Sequence, residues 1–287
     1  MNYQIITDSC CDLTDAQYES WNVKYVPLTV TYGGESRDNF SDPAAVKAFY
    51  DQMRQGVTAT TAAVNPAGWA QTMEPCLQAG EDVLVLAFSS GLSTTYQSAV
   101  IAAQELAEKY PQRKIRVVDT LAAALGQGLL VWYACRKRDE GLDIDSLTAW
   151  LEENKLHLCH WFTVDDLMHL KRGGRVSATT ALVGTMLNIK PVLHVDDEGH
   201  LVNVSKTRGR KASLDTLAKK LGELGEGYDN STVFISHGNC LEDAEYLARV
   251  VKEQYGVKEV IIGYVGAVIG AHAGPGVVAF FFLGNKR

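Results

Sequence analysis

The sequence predicts an α/β protein of two α/β domains, the first on a mainly parallel sheet and the second on a mixed or antiparallel one, with the ligand between them. Three observations carry that expectation. In the first half, apolar strand-like runs alternate with helical patterns. After about Leu156 the strand runs shorten, and one pair is joined by a tight turn. At 287 residues the chain is long for one domain and suits two, divided as residues 1–156 and 157–287.

In order, strands are expected at Tyr3–Thr7, Lys24–Thr31, Asp82–Phe88 and Lys114–Val118. Helices are expected at Pro43–Gln55, Pro66–Gln78, Thr95–Tyr110, Leu121–Glu140 and Asp143–Asn154. Strand and helix in alternation imply a parallel sheet covered on both faces, and such sheets hold ligands beyond the carboxyl ends of their strands. The second half predicts strands at Leu158–Val164, Lys190–Val195, His200–Lys206, Thr232–His237 and Glu259–Val265. Its helices are expected at Ala178–Leu187, Lys211–Leu224 and Cys240–Tyr255. Asp196, Asp197, Glu198 and Gly199 form a hairpin turn, which makes this half more antiparallel. The apolar run Tyr264–Gly284 has about the length of a membrane helix. His272 lies within it, and Gly266, Gly270, Gly274, Pro275 and Gly276 break a helix, so two strands joined by a Gly-Pro-Gly turn are expected instead.

Composition narrows the function. An apolar fraction of 46% with 21% charged residues excludes disordered and fibrous classes. A net charge of -7 argues against broad attraction to nucleic acid or anionic lipid. The opening MNYQIITDS has no basic segment before an apolar one, so no signal peptide is expected. Six cysteines without CxxC spacing point to reduced thiols in a cytoplasmic protein.

The most informative stretch is SSGLSTT, from Ser89 to Thr95, between the strand LVLAF and the helix that follows. A turn feeding a helix amino terminus offers unpaired N–H groups and a positive dipole end, which favour an anion. Plain capping is the alternative, because Thr94 and Gln97 have capping-box spacing. The turn lacks the lysine of a P-loop and the second glycine of a GxSxG nucleophile elbow. A hydrolase built on Ser93 would need His237 or His272 as base, and no spacing places either beside it.

Elsewhere, Asp119 and Thr120 are expected to end a strand and cap the next helix. Asp8 and Ser9 border the crevice or cap a turn. In HLCHW, His157 and Cys159 share one strand face while His160 points away, so no metal is expected there. In KRGGR, Lys171 and Arg172 suit a helix end capped by Gly173 or Gly174.

Taken together, ITDSCCDL, TAAVNP (Thr61–Pro66), SSGLSTTYQSA, VVDT (Val117–Thr120), LKRGGRVS (Leu170–Ser177), IKPVLHV (Ile189–Val195), KTRGRKA (Lys206–Ala212) and GAVIGAHAGPG (Gly266–Gly276) resemble the DegV family of bacterial lipid-binding proteins. The motifs run in the family's order over nearly the whole chain. The resemblance implies a carrier without catalytic residues or cofactor, holding one long-chain fatty acid, such as palmitate, stearate or oleate, between its domains. It further implies a fatty acid kinase subunit as partner, which uses ATP to phosphorylate the presented carboxylate to an acyl phosphate for phospholipid synthesis. No nucleic acid and no integral membrane segment are implied, and membrane contact would be transient.

By position, the family's carboxylate contacts fall on Thr61, Ser93 and His272, flanked by Ala62 and Thr94. Ala62 stands where the family commonly has a hydroxyl, and Thr94 where it has glycine, so headgroup detail is expected to differ. Arg175 and Arg208 are the residues expected to face the kinase or steady its phosphate. Val265, Val268, Ile269, Leu182, Met186 and the alanine-rich helix after Tyr96 offer apolar material for the tail. The competing class is a serine esterase or thioesterase using Ser93, with His272 as base.

Overall fold

The computed structural model describes residues 3–177 and 188–287. In chain order its elements are β1 (Tyr3–Asp8), α1 (Asp15–Ser20), β2 (Val23–Val26), β3 (Thr29–Tyr32), β4 (Glu35–Asp38), α2 (Pro43–Arg54), β5 (Ala59–Ala62), α3 (Pro66–Gln78), β6 (Asp82–Ala87), α4 (Thr95–Lys109), β7 (Ile115–Asp119), α5 (Ala124–Asp139), α6 (Ile144–Asn154), β8 (Leu158–Thr163), α7 (Met168–Arg172), β9 (Ile189–Val195), β10 (Leu201–Arg208), α8 (Arg210–Leu224), β11 (Thr232–His237), α9 (Leu241–Tyr255), β12 (Glu259–Tyr264), α10 (Ala267–Ala273) and β13 (Val278–Leu283). The helix expected at Ala178–Leu187, with Leu182 and Met186, lies outside the described residues.

The first sheet is parallel, in the order β2-β1-β6-β7. Its central strands are apolar on both faces because helices cover both. Ile5, Leu84 and Leu86 pack with Leu129 and Leu130 of α5 and Leu147 and Leu151 of α6. Their neighbours Ile6, Val83 and Val85 pack with Trp69 and Met73 of α3 and with Ala99 and Ala102 of α4. The second sheet runs β10-β9-β8-β13-β11-β12, antiparallel except for β11 with β12. Phe280 and Phe282 of β13 face Leu217 of α8 and Leu247 of α9, while Phe281 faces the core that holds α5. The expected boundary after residue 156 falls in a 3-10 turn, Lys155–His157, and one apolar cluster crosses it from Leu84 to Phe281.

Helix α5 therefore lies between two sheets, and its sequence ALGQGLL explains how. A Cβ on Gly126 would sit 2.7 Å from His160 Nε2 and from Phe281 Cδ1 on the second sheet. A Cβ on Gly128 would sit 2.7 Å from the Cys11 carbonyl oxygen, in the turn after β1. The missing side chains let the helix backbone approach both neighbours.

Two expectations are corrected. The single strand Lys24–Thr31 is two strands in two sheets, because Pro27, which carries no N–H for a ladder, separates them. Leu28 beyond it receives its bond from the side: its N–H donates to Ser9 Oγ. Strand β3 then turns through Gly33 and Gly34, with φ of 60° and 84°, into β4 and also pairs with β5. Tyr264–Gly284 is not two strands. Its first part forms α10, where small residues let the helix sit against Tyr50, whose hydroxyl donates to the Val265 carbonyl at 2.8 Å. A Cβ on Gly270 would collide with that hydroxyl. Among the described residues, no helix is long and apolar enough to cross a membrane.

Alanine for glycine inside a helix ordinarily stabilises by about 1 kcal/mol. At Gly126 the opposite sign is expected, a loss of about 1–3 kcal/mol from overpacking against His160 and Phe281, measured by urea unfolding of Gly126→Ala.

Candidate functional site

A cavity of about 490 Å³ lies between the two large sheets. Its floor is one face of the second sheet: the pairing of β8 with β13 sets Phe162 opposite Ala279 and His160 opposite Phe281, and all four line it. Val195 and Leu201, paired across β9 and β10, extend that floor. The turn Phe88–Thr94, the start of α5 and α10 close the cavity from the other side.

Polar side chains gather at one end. Thr61, on the edge of β5, meets His272 of α10, Oγ1 to Nε2, at 2.8 Å. The His272 Nδ1 is buried without a hydrogen-bond partner, and a Cβ on Gly173 would collide with it. Since Nδ1 is covered, the tautomer that serves a ligand has Nε2–H donating to Thr61, which leaves the Thr61 proton free. Burial, with the positive Arg175 nearby, lowers the His272 pKa to about 4, so the imidazole is neutral at pH 7. Arg175 donates to the Leu92 carbonyl at 3.0 Å and the Gly173 carbonyl at 2.5 Å, which spans the cavity end. Among the described lining residues no carboxylate occurs, and Arg175 carries the only formal charge.

The five hydroxyls of SSGLSTT separate into different tasks. Ser89 is fully buried and donates to the Gly199 carbonyl at 2.9 Å, so it ties the turn to the β9–β10 hairpin. Gly91 permits the same approach, since a Cβ there would lie 2.7 Å from the Glu198 carbonyl oxygen. Ser93 Oγ accepts from the Thr95 N–H at 3.2 Å and pairs with Thr95 Oγ1 at 2.8 Å. Thr94 makes no side-chain capping bond, so the expected capping box is absent. Ser90, Ser93 and Thr94 line the cavity, and Thr94 is exposed as well.

Neighbouring loops hold this turn. Asp119 accepts from the Ser90 and Leu121 N–H groups, and Thr120 donates to the Ala87 carbonyl. Neither caps α5, whose N-cap is Ala123, and this corrects the expectation for VVDT. Asp8 is fully buried and accepts from the N–H groups of Cys10 and Phe88 and from Gln127 Nε2. Burial outweighs these three donors and raises its pKa to about 6.

The fold thus brings Thr61, Ser93, Thr94, His272 and Arg175 to one cavity. Ala62 is exposed beside it, with Ala63 as the lining neighbour. Arg208 ends β10 on the surface, outside the lining. Val265, Val268 and Ile269 line the cavity, whereas the helix after Tyr96 contributes nothing to it and Ala123 and Ala124 do. Phe162, Ala279 and Phe281 escaped the sequence reading of the tail site, although strand alternation along LCHWF and VVAFFFL was the available signal. Ser93 and His272 share no hydrogen bond, and the buried His272 Nδ1 has no carboxylate to orient it, so the hydrolase arrangement is not assembled.

Residues 2–285 match the model of the DegV family, described as an uncharacterised protein family. A DegV domain-containing protein of Clostridium perfringens is 46% identical over 286 residues, 99% of this chain and 98% of its own length. A DegV family protein from Thermus thermophilus, whose solved structure is described as fatty acid binding, aligns at TM-score 0.87 and 31% identity over 99% of this chain and 100% of that one. A DegV lipid binding protein from Thermotoga maritima aligns at 0.86 and 29% over 100% of both chains.

The folded His272 pKa lies below its ordinary 6.5, so between about pH 6.5 and 4 the unfolded chain binds the extra proton and stability falls with acidification. His272→Gln is expected to lose about 2 kcal/mol less than the unsubstituted protein between pH 7 and 4.5, read from urea midpoints at each pH.

Proposed function

The chain belongs to the DegV family, and on that premise we propose that it binds one long-chain fatty acid, with the tail on the sheet floor and the carboxylate at Thr61, Ser93 and His272. The observation that carries this reading is the asymmetry of the cavity: an apolar floor and, at one end, two hydroxyls, a neutral imidazole and Arg175 without any opposing carboxylate. When Thr95 donates to Ser93, the Ser93 proton remains to donate into the cavity, as does that of Thr61. Donors of this kind satisfy a carboxylate without a full counter-charge at every contact. Burying ~14 methylenes at about 0.8 kcal/mol each gives roughly 11 kcal/mol gross, so the tail dominates affinity and the polar end sets orientation. The fatty acid binding described for the Thermus thermophilus relative supports the same ligand class.

We further propose that the protein is a carrier that presents this carboxylate to a fatty acid kinase for acyl phosphate formation. Thr94 both lines the cavity and is exposed, which sets the polar end close to solvent. Arg175 at that end and Arg208 on the surface are the proposed contacts for the kinase or its phosphate. An ATP-using partner places the proposed carrier in the cytoplasm. The partners of Ser93 and His272 are Thr95 and Thr61, which disfavours the esterase or thioesterase reading.

Denaturing organic extraction followed by mass spectrometry is expected to release a stoichiometric long-chain fatty acid, depleted in a folded Thr61→Ala/Ser93→Ala/His272→Ala variant. A protein that is empty and takes up neither oleate nor palmitate would remove the lipid. With a purified fatty acid kinase, Arg208→Glu is expected to slow acyl phosphate formation at least ~10-fold, a loss of about 1.4 kcal/mol, while fatty acid binding is retained. Phosphorylation at the unsubstituted rate would exclude Arg208 from docking.

A further inference from the structure

A second groove, separate from the fatty acid cavity, runs along the free edge of β12. Its volume is about 770 Å³, and Ile261, Ile262, Gly263 and Tyr264 all line it. β12 is the last strand of the second sheet and pairs with β11 alone, in parallel and without a break. The N–H groups of Glu259 and Val265 donate to the Ser231 and His237 carbonyls, both at 2.9 Å. Backbone groups alternate sides along a strand, so Ile261 and Gly263 also turn toward β11, and the N–H and C=O groups of Val260, Ile262 and Tyr264 turn outward. Among the described residues nothing pairs with the outward groups of Ile262 and Tyr264. The opposite edge strand, β10, carries a bulge between Asn203 and Ser205, a device that blunts pairing, and β12 has none.

The walls of the groove carry one sign of charge. Asp15 begins α1, Asp42 caps α2 and Glu245 lies on α9, and all three are exposed lining residues without an ion-pair partner among the described residues. The carboxylate oxygens of Asp12, also in the lining, are covered. No lysine or arginine occurs among the described lining residues, and burial lowers the pKa of the lining His237 to about 4, so it adds no positive charge at pH 7. Between the carboxylates lie Tyr25 and Leu241, 36% and 47% exposed.

We propose that this groove receives an extended, basic segment of a partner protein, which adds to the free edge of β12 as a further strand. The outward groups of Ile262 and Tyr264 supply ladder bonds, and lysine or arginine on the segment meets Asp15, Asp42 and Glu245 while its methylene stem covers Tyr25 and Leu241. An unpaired strand edge alone accepts any extended chain, and the uniform negative charge selects a cationic one. A second copy of this chain is disfavoured as the occupant, because joining β12 edge to edge would bring two sets of carboxylates together.

The test follows amide hydrogen exchange and fluorescence anisotropy of the full chain with a labelled peptide in which lysine alternates with valine. Without peptide, the Ile262 and Tyr264 amides are expected to exchange faster than those of Ile261 and Gly263. Protection of the outward pair in the monomer would mean that the edge is already covered and would overturn the proposal. The peptide is expected to bind and to slow exchange at Ile262 and Tyr264. Affinity should fall about tenfold in Asp15→Lys/Glu245→Lys, checked for a cooperative melt, and at least as far for one of two peptides methylated at alternate backbone nitrogens, which keep the charge and lose donors. Failure of the peptide to bind, undiminished binding of both methylated peptides, or affinity unchanged by the charge reversal would each overturn the proposal. A dimer in sedimentation equilibrium that protects the same amides would identify a second copy as the occupant and overturn it as well. The exchange pattern and the methylated peptides decide the matter on the unsubstituted protein even where the variant fails to fold.

Discussion

The close seating of α5 between the two large sheets is the constraint from which the rest of the architecture follows. Gly126 lets it approach the second sheet and Gly128 lets it approach the turn after β1, while Gln127 between them donates to Thr7 Oγ1 and Asp8. Asp8 in turn receives the Phe88 N–H, so β1, the end of β6 and α5 meet at one buried carboxyl. A buried carboxyl is costly when ionised and becomes tolerable when several donors surround it. That junction fixes where the Phe88–Thr94 turn leaves the parallel sheet. The start of α5 and that turn consequently face the second sheet across a gap, and the gap is the cavity.

Within the cavity, chemistry is assigned by burial more than by residue type. Ser89 and Thr95 are hydroxyls of the same motif as Ser93, yet both are fully buried and bonded to the protein. His160 and His272 are both neutral imidazoles lining one space, one amid phenylalanines and the other beside a threonine and an arginine. The ring of the first packs against the Gly126 backbone, and the second bonds Thr61 at the polar end. Gly173 allows the second arrangement, because any side chain there would displace His272.

Much of the fold was legible from local pattern. The alternation of uninterrupted apolar runs with helical stretches specified β1, β6 and β7 with α2 to α6, since a doubly covered parallel sheet leaves that signature whatever its partners. The hairpin through Asp196–Gly199 was legible for the same local reason. The small sheet of β3, β4 and β5 was not: its strands have four residues each, and ATTA carries no alternation of apolar with polar. The helical turn in GAVIGAHA was hidden too, because its glycines disfavour a helix that distant contacts, among them those of Tyr50, Asn39 and Thr61, stabilise from outside.

The candidate site divides along the same line. The sequence by itself determined the fold class and the lysine-free, hydroxyl-rich turn at the head of a helix. The resemblance of its motifs to the family implied that Thr61, Ser93 and His272 belong together despite separations of 32 and 179 residues. Only the tertiary structure decided which hydroxyls line the cavity, that Arg208 stands apart while Arg175 spans the cavity end, and that Phe162, Ala279 and Phe281 make its floor. The physical reason is that local pattern records which face of an element is apolar, whereas the partner of that face depends on contacts between segments a hundred or more residues apart. Those contacts here pass through α5, whose glycines carry no pattern until both of its neighbours are in place.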